Sequence, residues 1–174
     1  MSKRYRPEEV VAQLNAYHGA MVEQVDRHGG SLDKFIGDGA LVVFGLGPSD
    51  APVPDAGAQA AVDCARSMLG ALSTLNAARS AAGLERLRMG IGIHTGEVIA
   101  GNIGAVSRRL EFTVIGDAVN TAVRLESATK ALGVVAVASG ATFDRLRDRS
   151  GVHAVPSRPL EGIADAVTLH ALEA

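Results

Sequence analysis

One cysteine, Cys64, occurs in the 174 residues, so the chain has no internal disulfide. Its place among Ala and Val in a helical pattern makes it a small buried hydrophobe. No apolar run reaches the length of a membrane span, and the start Met1-Ser2-Lys3-Arg4-Tyr5-Arg6-Pro7 lacks the apolar core of a signal peptide. These absences predict a soluble, cytoplasmic chain with no membrane segment. The formal net charge of −2 arises from interspersed acids and bases with no block of one sign, which argues against a nucleic-acid partner. There is no Walker A sequence, no HExxH and no CxxC, and the five histidines (His18, His28, His94, His153 and His170) show no metal-ligand spacing. Gly90, Gly92 and Gly96 miss the dinucleotide fingerprint by one residue and sit in a predicted strand, which removes a Rossmann site.

What is present is ordinary for a folded protein: 47% hydrophobic and 21% charged residues, in a length suited to a single domain over 1–174. Val10, Leu14, Tyr17, Met21 and Val25 draw an apolar stripe down a helix from Pro7 that Gly29-Gly30 ends. Leu32 to Ile36 and Ala40 to Phe44 read as a hairpin around Gly37-Asp38-Gly39. An Ala-rich helix follows from Asp55 to about Ala82. Leu87 to Ile93 then alternates as a strand whose second face is glycine, as if something packs closely there, and Thr95-Gly96 turns the chain into a return strand, Glu97 to Ile103. A strand at Glu111 to Ile115 leads through Gly116 into a third helix, Asp117 to about Leu132. The tail reads as strands at Val134 to Ala138, Val152 to Val155 and Val167 to Leu172, with a short helix near Thr142 to Leu146. This order predicts an α+β fold, with helices packed on one or both faces of a mixed sheet.

Several residues carry chemistry. Asp38, at a hairpin tip, is either a turn residue or a hard oxygen ligand for magnesium or manganese. Lys34 lies four residues earlier, on the strand entering that turn, and is otherwise a lysine on a solvated sheet face. Asn120 and Arg124 stand four apart and share one helix face, so amide and guanidinium can meet one ligand, as a phosphoryl transfer requires. His94, at a strand end, reads as structural.

Three ordered stretches carry a resemblance: Asp33-Lys34-Phe35-Ile36-Gly37-Asp38-Gly39, then Met89-Gly90-Ile91-Gly92-Ile93-His94-Thr95-Gly96, then Phe112-Thr113-Val114-Ile115-Gly116-Asp117-Ala118-Val119-Asn120-Thr121-Ala122-Val123-Arg124-Leu125-Glu126. Together they resemble the class III adenylate and guanylate cyclase catalytic domain, most of all the bacterial adenylate cyclases. The Gly-Gly-acidic-Glu-Phe signature of diguanylate cyclases is absent. The resemblance implies a ferredoxin-like core and an adenylate cyclase that converts ATP into cyclic AMP and pyrophosphate. It implies two divalent cations, magnesium or manganese, and a homodimer with sites at the subunit interface.

Carried over by position, Asp38 resembles a metal ligand, Asn120 the residue that orients the ribose, and Arg124 the one that stabilises the transition state. Lys34 and Thr113 resemble the pair that reads the purine. A Lys ammonium donates to N1 of adenine and a Thr hydroxyl accepts from its exocyclic amine, so this pair favours ATP. Two departures accompany the likeness. The family's domain opens with a strand bearing a first metal aspartate, and this sequence starts after that segment, so the sheet is expected to lack its first strand. Leu160-Glu161-Gly162 carries Glu161 where relatives often have Lys, a change expected to repel triphosphate. The alternative reading is a non-catalytic cyclase-like module that dimerises or binds nucleotide.

Overall fold

Helix α1 (Pro7–Arg27) starts at Pro7, whose missing N–H costs nothing there. Glu9 reaches back to accept from the Arg6 backbone N–H at 2.9 Å and from the Arg6 guanidinium at 2.9 Å. The computed structural model describes residues 6–46, 54–105, 109–156 and 168–173. At the helix end Gly29 takes a φ of 66°, and the Gly30 N–H returns to the Val25 carbonyl at 2.9 Å. A side chain at Gly30 would stand 2.7 Å from the Phe44 ring, so glycine there lets the following hairpin lie against the helix.

That hairpin is β1 (Ser31–Ile36) and β2 (Gly39–Val43), antiparallel, with Ile36 opposite Gly39 and therefore a two-residue turn at Gly37-Asp38. Gly37 has a φ of 64° and no non-glycine residue among those described has a positive φ, the pattern of a type II′ turn. Helix α2 (Pro54–Ala81) buries Ala58, Val62, Ala65, Leu69, Leu72 and Asn76, a stripe at spacings of three and four. Cys64 is buried on it, 1% exposed, and burial pushes its thiol up to about 11, so it is inert as expected.

The strand expected over Leu87–Ile93 is shorter. Only β3 (Ile91–Ile93) forms, because Asn76 of α2 takes both backbone groups of Leu87: its amide donates to the carbonyl at 2.9 Å and its oxygen accepts from the N–H at 2.7 Å. Those groups are then unavailable to a ladder. The return strand also differs. β4 (Ile99–Ala105) pairs antiparallel with β5 (Arg109–Ile115), not with β3, and the two form a separate hairpin sheet.

After α3 (Asp117–Leu132) come β6 (Ala136–Ser139), the short α4 (Gly140–Phe143), β7 (Val152–Val155) and β8 (Leu169–Leu172). A four-stranded mixed sheet runs β3-β6-β8-β7, with β3 and β6 parallel and the other pairs antiparallel. Sequence reading expects one sheet; the described residues form three, of two, four and two strands. The α+β character holds, with helices on both faces of the four-stranded sheet. Ala136, Ala138, Ile93 and Leu172 pack with Ala58, Val62, Ala65 and Leu69 of α2, while Val137 and Leu169 pack with Leu125 of α3. Among the described residues no helix is long and apolar enough to cross a membrane.

The seat of α3 is set by glycine. A Cβ at Gly92 would stand 2.3 Å from the Glu126 backbone nitrogen and 2.4 Å from the Ala122 carbonyl oxygen, and one at Gly90 would stand 2.6 Å from Thr129 Oγ1. Gly92→Ala is therefore expected to cost on the order of 3 kcal/mol by overpacking against backbone. Gly70→Ala, on a stretch of α2 with nothing within 4 Å of the added carbon, is expected to gain up to about 1 kcal/mol. Urea unfolding of the two variants checks the contrast; equal midpoints would contradict it.

Candidate functional site

β1 carries an irregularity that builds the centre of the site. Its register runs Leu32 opposite Val42 and then Lys34 opposite Leu41, so Asp33 is an extra residue without a cross-strand partner. A bulge of this kind re-aims a side chain. The Asp33 carboxylate is 4% exposed, and its Oδ2 accepts a hydrogen bond from Thr113 Oγ1 of β5 at 2.9 Å. The Lys34 ammonium lies 3.7 Å from the same oxygen, on a side chain that is 41% exposed. A buried carboxylate is tolerated only when paired, and these two groups pair it. Lys34 and Thr113, far apart in sequence, are thus brought together through a residue that sequence reading missed. In a regular strand neighbours point to opposite faces, so nothing in the alternation links Asp33 to Lys34.

Asp38 sits apart from this group. It is exposed at the tip of the hairpin, and its backbone carbonyl lies 3.3 Å from His18 Nε2 on α1, which donates when that nitrogen carries the proton. The His18 ring in turn leans on Phe35, with centroids 4.2 Å apart. Burial, and next the Asp38 charge, raise the Tyr17 phenol above its ordinary value. Among the described residues no three His, Cys, Asp or Glu side chains gather as a metal-binding group. One exposed carboxylate still suits an ion that keeps several waters and takes its other ligands from phosphate oxygens, as magnesium does.

Asn120 and Arg124 lie one turn apart on α3, the first exposed and the second half-buried. Below the start of that helix, a Cβ at Gly96 would meet the Ala118 Cβ at 2.9 Å, so the 94–96 turn is pressed against the first turn of α3. Buried hydroxyls hold this turn in place. His94 Nδ1 lies 2.8 Å from Ser139 Oγ, Thr95 Oγ1 lies 3.0 Å from Thr142 Oγ1, and Thr142 donates to the Ile93 carbonyl at 3.4 Å. Ser139 and Thr142 have no solvent exposure, which makes His94 a structural histidine. Burial first, and the nearby Arg145 charge second, lower its pKa below the usual value, so it is held neutral. Glu161, expected to face triphosphate, lies outside the described residues.

The family model for the adenylate and guanylate cyclase catalytic domain matches residues 1–172. The chain is 34% identical over 171 residues to adenylate cyclase 1 of Rhizobium meliloti (strain 1021), covering 98% of the chain and 25% of that protein. It is 40% identical over 137 residues to an adenylate cyclase of Anabaena cylindrica, covering 76% of the chain and 25% of that protein. It therefore spans about a quarter of the length of these relatives. The adenylyl cyclase CyaB from P. aeruginosa superimposes with a TM-score of 0.87 at 28% identity, over 99% of this chain and 86% of that one. The guanylyl cyclase Cya2 superimposes with a TM-score of 0.80 at 37% identity, over 98% and 83%.

A neutral His94 makes stability depend on pH with a definite sign. Its folded pKa is below the unfolded value of about 6.5, so unfolding takes up a proton once the pH drops beneath that value. Its contribution is complete above about pH 6.5 and is lost on further acidification. His170, lowered mainly by burial, acts with the same sign. The thermal midpoint is expected to fall between about pH 7 and about pH 5, and to fall less steeply in His94→Gln. Parallel curves for the two proteins would refute the assignment.

Proposed function

The chain belongs to the adenylate and guanylate cyclase catalytic domain family, and from that premise we propose that it converts ATP into cyclic AMP and pyrophosphate in signalling. The observation that carries the choice of base is the cluster in which Lys34 and Thr113 meet on one carboxylate. A Lys ammonium has only donors to offer and suits the unprotonated N1 of adenine, while the N1 of guanine bears a hydrogen and wants an acceptor. The likeness to a guanylyl cyclase as well as to adenylyl cyclases makes these two side chains the place to look for the difference.

In the reaction the ribose 3′-oxygen forms a bond to the α-phosphorus as the bond to pyrophosphate breaks, and the 3′ proton leaves to solvent or base. Asp38 would hold a magnesium or manganese ion, which would supply charge neutralisation and a more nucleophilic 3′-oxygen when bound. Asn120 holds the ribose in line for the attack, and Arg124, one turn further along α3, donates to phosphoryl oxygens as charge shifts onto the leaving group. Residues 1–174 make up one cyclase catalytic domain in this reading.

Two copies complete each site in this reading. The Asp38 carbonyl lies 3.3 Å from His18 Nε2 of α1, while Lys34 and Thr113 meet on Asp33; in this reading one subunit provides the metal ligand and its partner provides Lys34, Thr113, Asn120 and Arg124. Exposed apolar side chains support a covered interface: Phe35 and Ile36 at the end of β1, and the cross-strand pair Ile99 and Ile115, 69% and 48% exposed, on the β4–β5 hairpin.

In the full-length protein Arg124→Ala is expected to lower turnover by roughly a hundredfold or more with the fold intact by circular dichroism. Asp38→Ala is expected to do the same, and mixing the two inactive variants to restore activity through dimers with one intact site. Unchanged turnover in Arg124→Ala would remove its role, and no rescue on mixing would remove the shared site. Lys34→Glu is expected to reduce the ratio of cyclic AMP to cyclic GMP formed from equal ATP and GTP; an unaltered ratio would sink the purine assignment.

A further inference from the structure

We propose that Asp33 is the positioning residue that sets the purine preference, by fixing which way the Thr113 hydroxyl presents its proton. The inference rests on the reading of Lys34 and Thr113 as the purine-contacting pair. A threonine hydroxyl has one proton to donate and two lone pairs to accept with, so alone it accommodates either an amine or a carbonyl on the base. Thr113 is not alone. Its oxygen stands 2.9 Å from Asp33 Oδ2, and an ionised carboxylate only accepts, so the proton points to Asp33. The lone pairs that remain can meet only a donor. Adenine presents its exocyclic amine at this edge, whereas guanine presents a carbonyl oxygen that would face a second acceptor.

The arrangement is well protected from exchange. Thr113 is 8% exposed and the Asp33 side chain 4%, so water does not compete for the hydroxyl proton. The same Oδ2 lies 3.7 Å from the Lys34 ammonium, which ties the second purine-reading group to the same anchor. The bulge at Asp33 makes this possible, because it allows consecutive residues of β1 to serve one locus. Thr113 therefore supplies the contact and Asp33 its polarity.

The test is the ratio of dissociation constants for GTP and ATP, read by competition against a fluorescent nucleotide on the full-length protein. Asp33→Asn, whose amide can donate to Thr113 and free the hydroxyl proton for a carbonyl, is expected to lower the preference for ATP about tenfold. Thr113→Val should lower it similarly, and the double variant no further than the larger single loss, because both remove one bond. Thr113→Ser keeps the hydroxyl and should keep the preference. Asp33→Ser, smaller and able to bond Thr113 in either sense, carries the same expectation as Asp33→Asn and covers a failure of the first variant to fold. A normal ratio in the Asp33 variants beside a reduced one in Thr113→Val would overturn the proposal and leave the purine site standing. Unchanged ratios in both Thr113→Val and Lys34→Glu would overturn the purine site and this inference with it.

Discussion

The close approach of α3 to β3 is the constraint on which the rest of the site depends. Gly92 lets the helix backbone come within a distance that no Cβ would tolerate, while Gly90 leaves room for the Thr129 hydroxyl and Gly96 for the Ala118 Cβ in the first turn of α3. The helix is thereby held against the edge of the four-stranded sheet at a fixed height. Asn120 and Arg124 inherit that height, since both project from the same helix. Beneath it, the bonds among His94, Ser139, Thr95 and Thr142 occupy the buried polar groups of the turn and strand end. A neutral imidazole is required there, because a charged one would be buried beside Arg145.

A second junction ties together elements that share no sheet. The hairpins β1–β2 and β4–β5 each have only two strands, and isolated two-stranded hairpins are marginal in water. Asp33 bridges them through Thr113, at a point where both side chains are nearly excluded from solvent. The bond does structural work between the hairpins and, in the proposed reading, chemical work at the base. It also explains why a carboxylate is retained in a place where an unpaired one would be costly.

Much of this was legible beforehand, for identifiable reasons. The span of α3 reads correctly because Gly116 and Gly133 bracket it, the latter with a left-handed φ of 70°. The stripe of α1 follows the helical period, the Ala-rich run marks α2, and Gly90 and Gly92 announce a close neighbour. The pairing of strands is another matter. That β3 lies parallel to β6 and not beside β4 depends on contacts distant in sequence, and the shortening of β3 depends on Asn76 reaching across to Leu87. Lys34, Thr113, Asn120, Arg124 and Asp38 take roles from the motifs, whereas Asp33, although it heads the first motif, takes none. Its place follows from a register shift in the hairpin, which has no signature in composition or alternation.

The measurement that bears most directly on the account is product formation by the full-length protein with manganese and either ATP or GTP, with cyclic AMP, cyclic GMP and pyrophosphate quantified separately. The account predicts cyclic AMP and pyrophosphate in equal amounts, with cyclic GMP a minor product. Nucleotide binding with no cyclic product from either substrate would contradict it and leave a binding module in its place.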